Sequence, residues 1–234
     1  MSNAGLQLGT IESVHTAVVF KRNPWQEVLT GLGEPPRFLK LLLIALSVGC
    51  LADAVEPLRP WVEWLRMDSA AWERGEVWRM VTYGLFGRGG ISAWVVLQLV
   101  LVYWLVQQLV VWVRVRRART ILLGGVAVAG VTAALAQAAS NQFGGPSCSY
   151  APFWLMQGQN VILAIGLSAF AANNRHSTVS HTPYVFGLPI PTKWLVPLHL
   201  LMTLGGALST GDVGGFVGIL AATAWGWTAV SRRG

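Results

Sequence analysis

Long apolar runs, broken by short polar or basic interruptions, set the pattern of this chain, and their length says more than their period. A helix that crosses a bilayer needs about 20 predominantly apolar residues. Six segments approach that requirement: 38–55, 91–113, 120–139, 153–172, 193–208 and 213–230. The spacing predicts an all-α membrane protein, a bundle of six transmembrane helices over 38–230. Residues 1–37 are mixed polar and weakly apolar, with no h-region and no small-residue cleavage site before Pro35-Pro36, so they read as a retained N-terminal arm. Residues 231–234 form a short basic C-terminus. About 35 residues separate the first two runs. They carry Trp61, Trp64, Trp72 and Trp78 among acidic and basic residues, which fits an interfacial helical loop, since indole rings favour the membrane–water boundary.

Composition agrees. The chain of 234 residues is 53% hydrophobic and 12% charged, with a mean hydropathy of +0.51, which excludes an ordinary soluble domain. Cys50 and Cys148 are the only cysteines, too few for a disulfide framework and without zinc or haem spacing. The net charge is +7, but the basic residues are scattered around apolar segments. Membrane lipids and membrane proteins are therefore the expected partners, and nucleic acid is not. No phosphate-binding glycine loop joins a strand to a helix, so no cofactor is expected beyond a bound phospholipid.

Six spans place both termini on one side, and the basic residues test this. Lys21, Arg22, Arg37, Lys40, Arg114, Arg116, Arg117, Arg119, Arg175, Lys193, Arg232 and Arg233 fall on the side of the termini. Only Arg59, Arg66, Arg74, Arg79 and Arg88 fall on the other, offset by Asp53, Glu56, Glu63, Asp68, Glu73 and Glu76. The bias puts the termini in the cytosol or an equivalent compartment such as the mitochondrial matrix. Arg114, Arg116, Arg117 and Arg119 read as a loop that fixes topology, with anionic-lipid contact as their other role.

Inside the membrane, Gly214, Gly218, Ala222 and Gly226 recur every four residues, which lines one helix face with small side chains for close helix approach. Gly125, Ala129 and Ala133 repeat the device in the third run. Gln98, Gln107, Gln108, Gln137, Gln157, Gln159 and Asn160 lie at membrane depth, where an amide either bonds between helices or lines a polar path. Within the spans the ionisable candidate is His199, which reads as a helix–helix contact.

The string Glu76-Val77-Trp78-Arg79-Met80-Val81-Thr82-Tyr83-Gly84-Leu85-Phe86 resembles the Trp-Arg motif in the first luminal loop of rhomboid-like proteins, and among them most resembles the derlins. Glu34-Pro35-Pro36, Gly158-Gln159 with Asn173, and Pro191, Trp194, Leu195, Pro197, Gly214, Gly218 and Ile219 are similar to derlin positions in the entry and in the fourth to sixth spans. The resemblance implies a rhomboid-like bundle in which Trp78 and Arg79 anchor the first loop. It also implies a lost protease site, because Gly158 stands where active rhomboids carry the nucleophilic serine and Thr223 where they carry the histidine base. Gly145-Pro146-Ser147-Cys148 lies too early to replace that turn. The implied protein is not an enzyme. It would work as derlins do at the endoplasmic reticulum, helping misfolded clients return to the cytosol. No counterpart of the cytosolic tail that recruits a segregase ATPase is expected here. A second expectation is therefore a structural accessory subunit of a large membrane complex, for example in the mitochondrial inner membrane.

Overall fold

The computed structural model describes residues 34–68, 74–85, 92–142, 153, 155–174, 184–185, 188–189 and 192–231. Residues 1–33 of the N-terminal arm, the Gly145–Cys148 stretch, His176, His181 and the last three residues lie outside the described residues. Helix α1 (Arg37–Ala54) begins after Pro36, whose missing N–H costs nothing at a helix start. A short 3₁₀ turn (Glu56–Leu58) and α2 (Arg59–Leu65) follow at 111° to α1, so the chain turns from along the bundle to across its end. Helix α3 (Arg79–Thr82) and a second 3₁₀ turn (Tyr83–Leu85) complete that first loop. Then come α4 (Ala93–Val113), α5 (Val115–Gln142), α6 (Gly158–Asn174), α7 (Thr192–Thr210) and α8 (Val213–Ser231). A two-rung antiparallel ladder pairs Tyr184 with Pro189 and Val185 with Leu188, a feature that the apolar pattern does not announce.

Each predicted run holds a helix. Three of them, α4, α5 and α8, are long and apolar enough to cross a bilayer, and the bent pair of α1 with the segment after it makes up to four. These helices fit an integral membrane protein. The fourth run corrects the sequence reading: its helix starts at Gly158, not at 153, because residues before it are spent on turns and caps. The basic cluster is corrected too. It is not a loop: α5 begins at Val115, so Arg116, Arg117 and Arg119 lie inside its first turns, as arginine's helix propensity allows. Only Arg114 separates α4 from α5, with φ at 65°. That conformation costs a non-glycine residue on the order of 1–3 kcal/mol.

Close contacts fix the helix directions. Gln98 meets Asn160, Leu105 meets Gly166 and Trp112 meets Phe170, so α4 and α6 run parallel. On α8, Gly218 lies against Met156 and Gly226 against Ile165, so α8 parallels α6 as well. Trp225 donates to the Ile121 carbonyl at 3.0 Å and Arg117 to that of Ala229 at 3.0 Å, which makes α5 antiparallel to α8. Thirteen of the seventeen residues of α6 are buried, so it is the central helix, enclosed by the others. The surrounding helices expose apolar side chains outward, among them Leu41 and Ile44, Val100 and Val111, Leu123 and Leu135, Leu201 and Leu208.

The four-residue stripe of α8 is a packing face. A Cβ on Gly218 would stand 2.6 Å from Met156 Sδ, 2.9 Å from the Ala129 carbonyl and 3.0 Å from Ala133, while one on Gly226 would run into Ser168 and Ile165. Ala222 is fully buried. The α5 stripe faces it, with Ala129 and Ala133 both buried. Lipid offers no hydrophobic drive between helices, so such closeness gains its energy from van der Waals contact. Gly218→Leu is expected to destabilise the folded protein by about 1–3 kcal/mol, read as a lower unfolding midpoint in detergent. Gly205→Ala, at a position with nothing within 4 Å, should leave the midpoint unchanged or slightly higher.

Candidate functional site

The loop between α1 and α4 is knotted around Arg79. Its guanidinium is buried, with Nη1 donating to the carbonyls of Glu63 at 3.0 Å and Arg66 at 3.2 Å and Nε paired with Glu76 at 2.7 Å. Arg74 bridges Asp68 and Glu76, and hydrogen bonds to Glu76 first, then Asp68, hold its pKa above the usual arginine range. Arg66 pairs with Asp53 at 2.8 Å, which ties the loop to the end of α1. Thr82 Oγ1 donates to the Leu65 carbonyl at 2.8 Å. Trp78 packs against Trp64 in a tilted pair with ring centroids 5.5 Å apart, and both stay half-exposed, alongside exposed Trp61, Val77 and Val81. Arg79 thus organises the loop's interior, and Trp78 belongs to its apolar outer face.

The same segment is seated in the bundle by glycines. A Cβ on Gly130 of α5 would collide with the Met80 carbonyl, and one on Gly158 of α6 with the Gly84 carbonyl. Gly84 itself packs on Val126, where an added Cβ would come within 2.5 Å. Tyr83 completes the seat by donating its hydroxyl to the Val126 carbonyl at 2.7 Å. Burial pushes that phenol's pKa well up, so the donor proton stays in place.

Beneath this seat lies a buried polar layer at the start of α6. Gln98 Nε2 donates to Asn160 Oδ1 at 2.7 Å, and Asn160 Nδ2 donates to the Leu155 carbonyl. Asp212, which precedes α8, accepts from the Leu155 N–H at 2.8 Å and from the Gly215 N–H at 2.7 Å. It therefore caps α8 and clamps the approach to α6 in one side chain. Gln159 is fully buried; its Nε2 donates to Gln157, and its Oε1 has no hydrogen-bond partner among the described residues. Amides of this kind offer donors and acceptors but neither a nucleophile nor a general base. Among the described residues no group of three His, Cys, Asp or Glu side chains could hold a metal ion.

The other sequence candidates fall in separate places. Gly158 is filled from above by the Gly84 carbonyl, so the position that resembles a serine nucleophile has no room for any side chain. Thr223 is buried and donates its hydroxyl to the Ile219 carbonyl of its own helix. Arg117 caps the end of α8 through Ala229, whereas Arg114, Arg116 and Arg119 are exposed. His199 lies on α7, its carbonyl accepting from Thr203. Sequence reasoning missed Asp212 and Gly130. The first carries a signal, a helix-capping residue before an apolar run; the second carries none, because its partner Met80 is fifty residues away. Compared with protein-family models, curated proteins and solved structures, the chain matches none.

Gly158→Ser should fail to create a hydrolase and should instead loosen the loop seat. The expected readout is faster proteolysis within the first loop and no labelling by a serine-reactive fluorophosphonate. Arg79→Met should give the same loosening, with a stability loss of about 3–5 kcal/mol for breaking a buried pair. Asp212→Ala should cost about 0.5–2 kcal/mol as a lost cap, measured by detergent unfolding, with Asp212→Asn recovering part of it.

Proposed function

We propose that the chain is a rhomboid-like pseudoprotease of six spans, with its termini on the cytosolic side, that handles membrane or luminal clients in the manner of derlins at the endoplasmic reticulum. The observation that carries this reading is the start of α6. A short central helix opens on a buried layer of amides, directly under a loop built on Trp78 and Arg79. At 1.5 Å per residue its 17 residues span about 25 Å, less than the hydrocarbon thickness of about 30 Å. A short helix at the bundle centre favours local thinning of the bilayer, and the exposed tryptophans of the first loop suit the thinned interface. Gln159 Oε1, which has no partner among the described residues, would accept a hydrogen bond from the backbone of a client segment that has left the lipid and opened this layer. No step in this handling needs covalent chemistry.

A second reading, a structural subunit of a larger complex such as one of the mitochondrial inner membrane, is favoured by the outer face of α7. There Gly205 has nothing within 4 Å and Leu201, Met202 and Leu208 are exposed, a surface on which a partner helix could approach closely.

Extraction in mild detergent followed by identification of co-migrating proteins separates the two. Recovery with ubiquitin-ligase and segregase components is the expected result. Fixed-stoichiometry co-migration with an energy-converting complex would sink the client-handling reading.

A further inference from the structure

The charged clusters at the two ends of α4 differ in their pairing. The ion pairs of the first loop use Asp53, Arg66, Asp68, Arg74, Glu76 and Arg79. At the opposite end of α4, the guanidinium groups of Arg114, Arg116 and Arg119 are exposed and take no partner among the described residues. Arg117, between them, is turned inward to the Ala229 carbonyl and is not of this set.

The position of the three matters more than their number. On α5, Arg116 stands two turns and Arg119 one turn before exposed Leu123, and the outward stripe continues through Val131 and Leu135. On α4, exposed Val111 stands three residues before Arg114. The left-handed backbone at Arg114 turns α4 into α5 within a single residue, so both apolar stripes end at the same break. An acyl chain lying along Val111 and Leu123 would deliver its phosphate to three guanidiniums that have no partner among the described residues. Arginine's planar fork matches phosphate oxygens in two-point hydrogen bonds.

We propose that the α4–α5 break is a binding site for the phosphate headgroup of an anionic phospholipid, held by Arg114, Arg116 and Arg119 with its acyl chains against Val111 and Leu123. The inference rests on the bundle lying in a membrane and on nothing else in the functional reading. Its test uses the full chain reconstituted into vesicles of phosphatidylcholine and phosphatidylglycerol at equal mole fraction, then extracted in mild detergent, with the retained phospholipid quantified by mass spectrometry. The wild type is expected to retain phosphatidylglycerol in excess. R114Q/R116Q/R119Q should return the ratio to that of the vesicle, at about fivefold per arginine. R117Q should keep the wild-type ratio, and the triple Arg→Lys variant, which keeps the charge but loses the two-point fork, should fall between the wild type and the Gln variant. Single R116Q and R119Q variants, at exposed positions, show the same direction if the triple variant does not insert. No enrichment in the wild type, an unchanged ratio in the triple variant, or equal displacement by glycerol phosphate, which lacks acyl chains, would overturn the proposal. Failure of the wild type to enter vesicles at all would instead overturn the membrane placement beneath it.

Discussion

The contact on which the rest of the structure depends is steric: the Gly84 carbonyl resting on the first residue of α6. That approach is open only because Gly158 lacks a Cβ, and it is repeated where the Met80 carbonyl rests on Gly130. Two glycines on two helices thus form a floor for one loop. Once the backbone of residues 80–84 lies on that floor, Tyr83 reaches the Val126 carbonyl and Thr82 reaches back to Leu65. Arg79 is then drawn under α2, where it collects the carbonyls of Glu63 and Arg66. Charge follows from packing here. A guanidinium would be costly to bury alone, and the pairing with Glu76 is what makes its position tolerable.

The helices were legible in the sequence because bilayer-length apolar runs are a strong signal, and the α8 stripe because its four-residue period is visible within one helix. The meaning of the stripe was legible for the same reason: small residues on one face imply a close neighbour, and α5 supplies it with Ala129 and Ala133. What could not be read was anything that depends on two distant segments meeting. Gly130 and Gly158 look like ordinary membrane-helix glycines until Met80 and Gly84 are placed above them. Arg117 looks like its neighbours Arg116 and Arg119 until the end of α8 arrives beside it. The break at Arg114 was hidden by residue type, since a left-handed backbone usually advertises itself with glycine.

The buried amides show the same division. Gln98 and Asn160 were legible as polar residues at depth, and an interhelical hydrogen bond is what depth demands of them. That Asp212 would clamp Leu155 was not, because the carboxylate belongs to α8 and the N–H to the approach to α6. The two facts together explain why α6 starts late. The Leu155 N–H goes to Asp212 and its carbonyl accepts from the Asn160 side chain and the Gln157 N–H, while the Gln157 carbonyl already accepts from the Val161 N–H, so the helical ladder begins at Gln157.

A helix that begins below the rim of a bundle leaves polar groups where lipid would otherwise require apolar ones. The bundle satisfies most of them internally; among the described residues, Gln159 Oε1 in this layer and His199 Nε2 on α7 are buried without a hydrogen-bond partner. Unpaired acceptors at membrane depth are costly, and a fold that keeps one gains a place where a foreign N–H group can be received. The glycine floor, the loop above it and the late start of α6 are then consequences of a single arrangement. That arrangement closes the first residue of α6 to any side chain with the Gly84 carbonyl and leaves a buried amide acceptor just beyond it, which is the feature the proposed function uses.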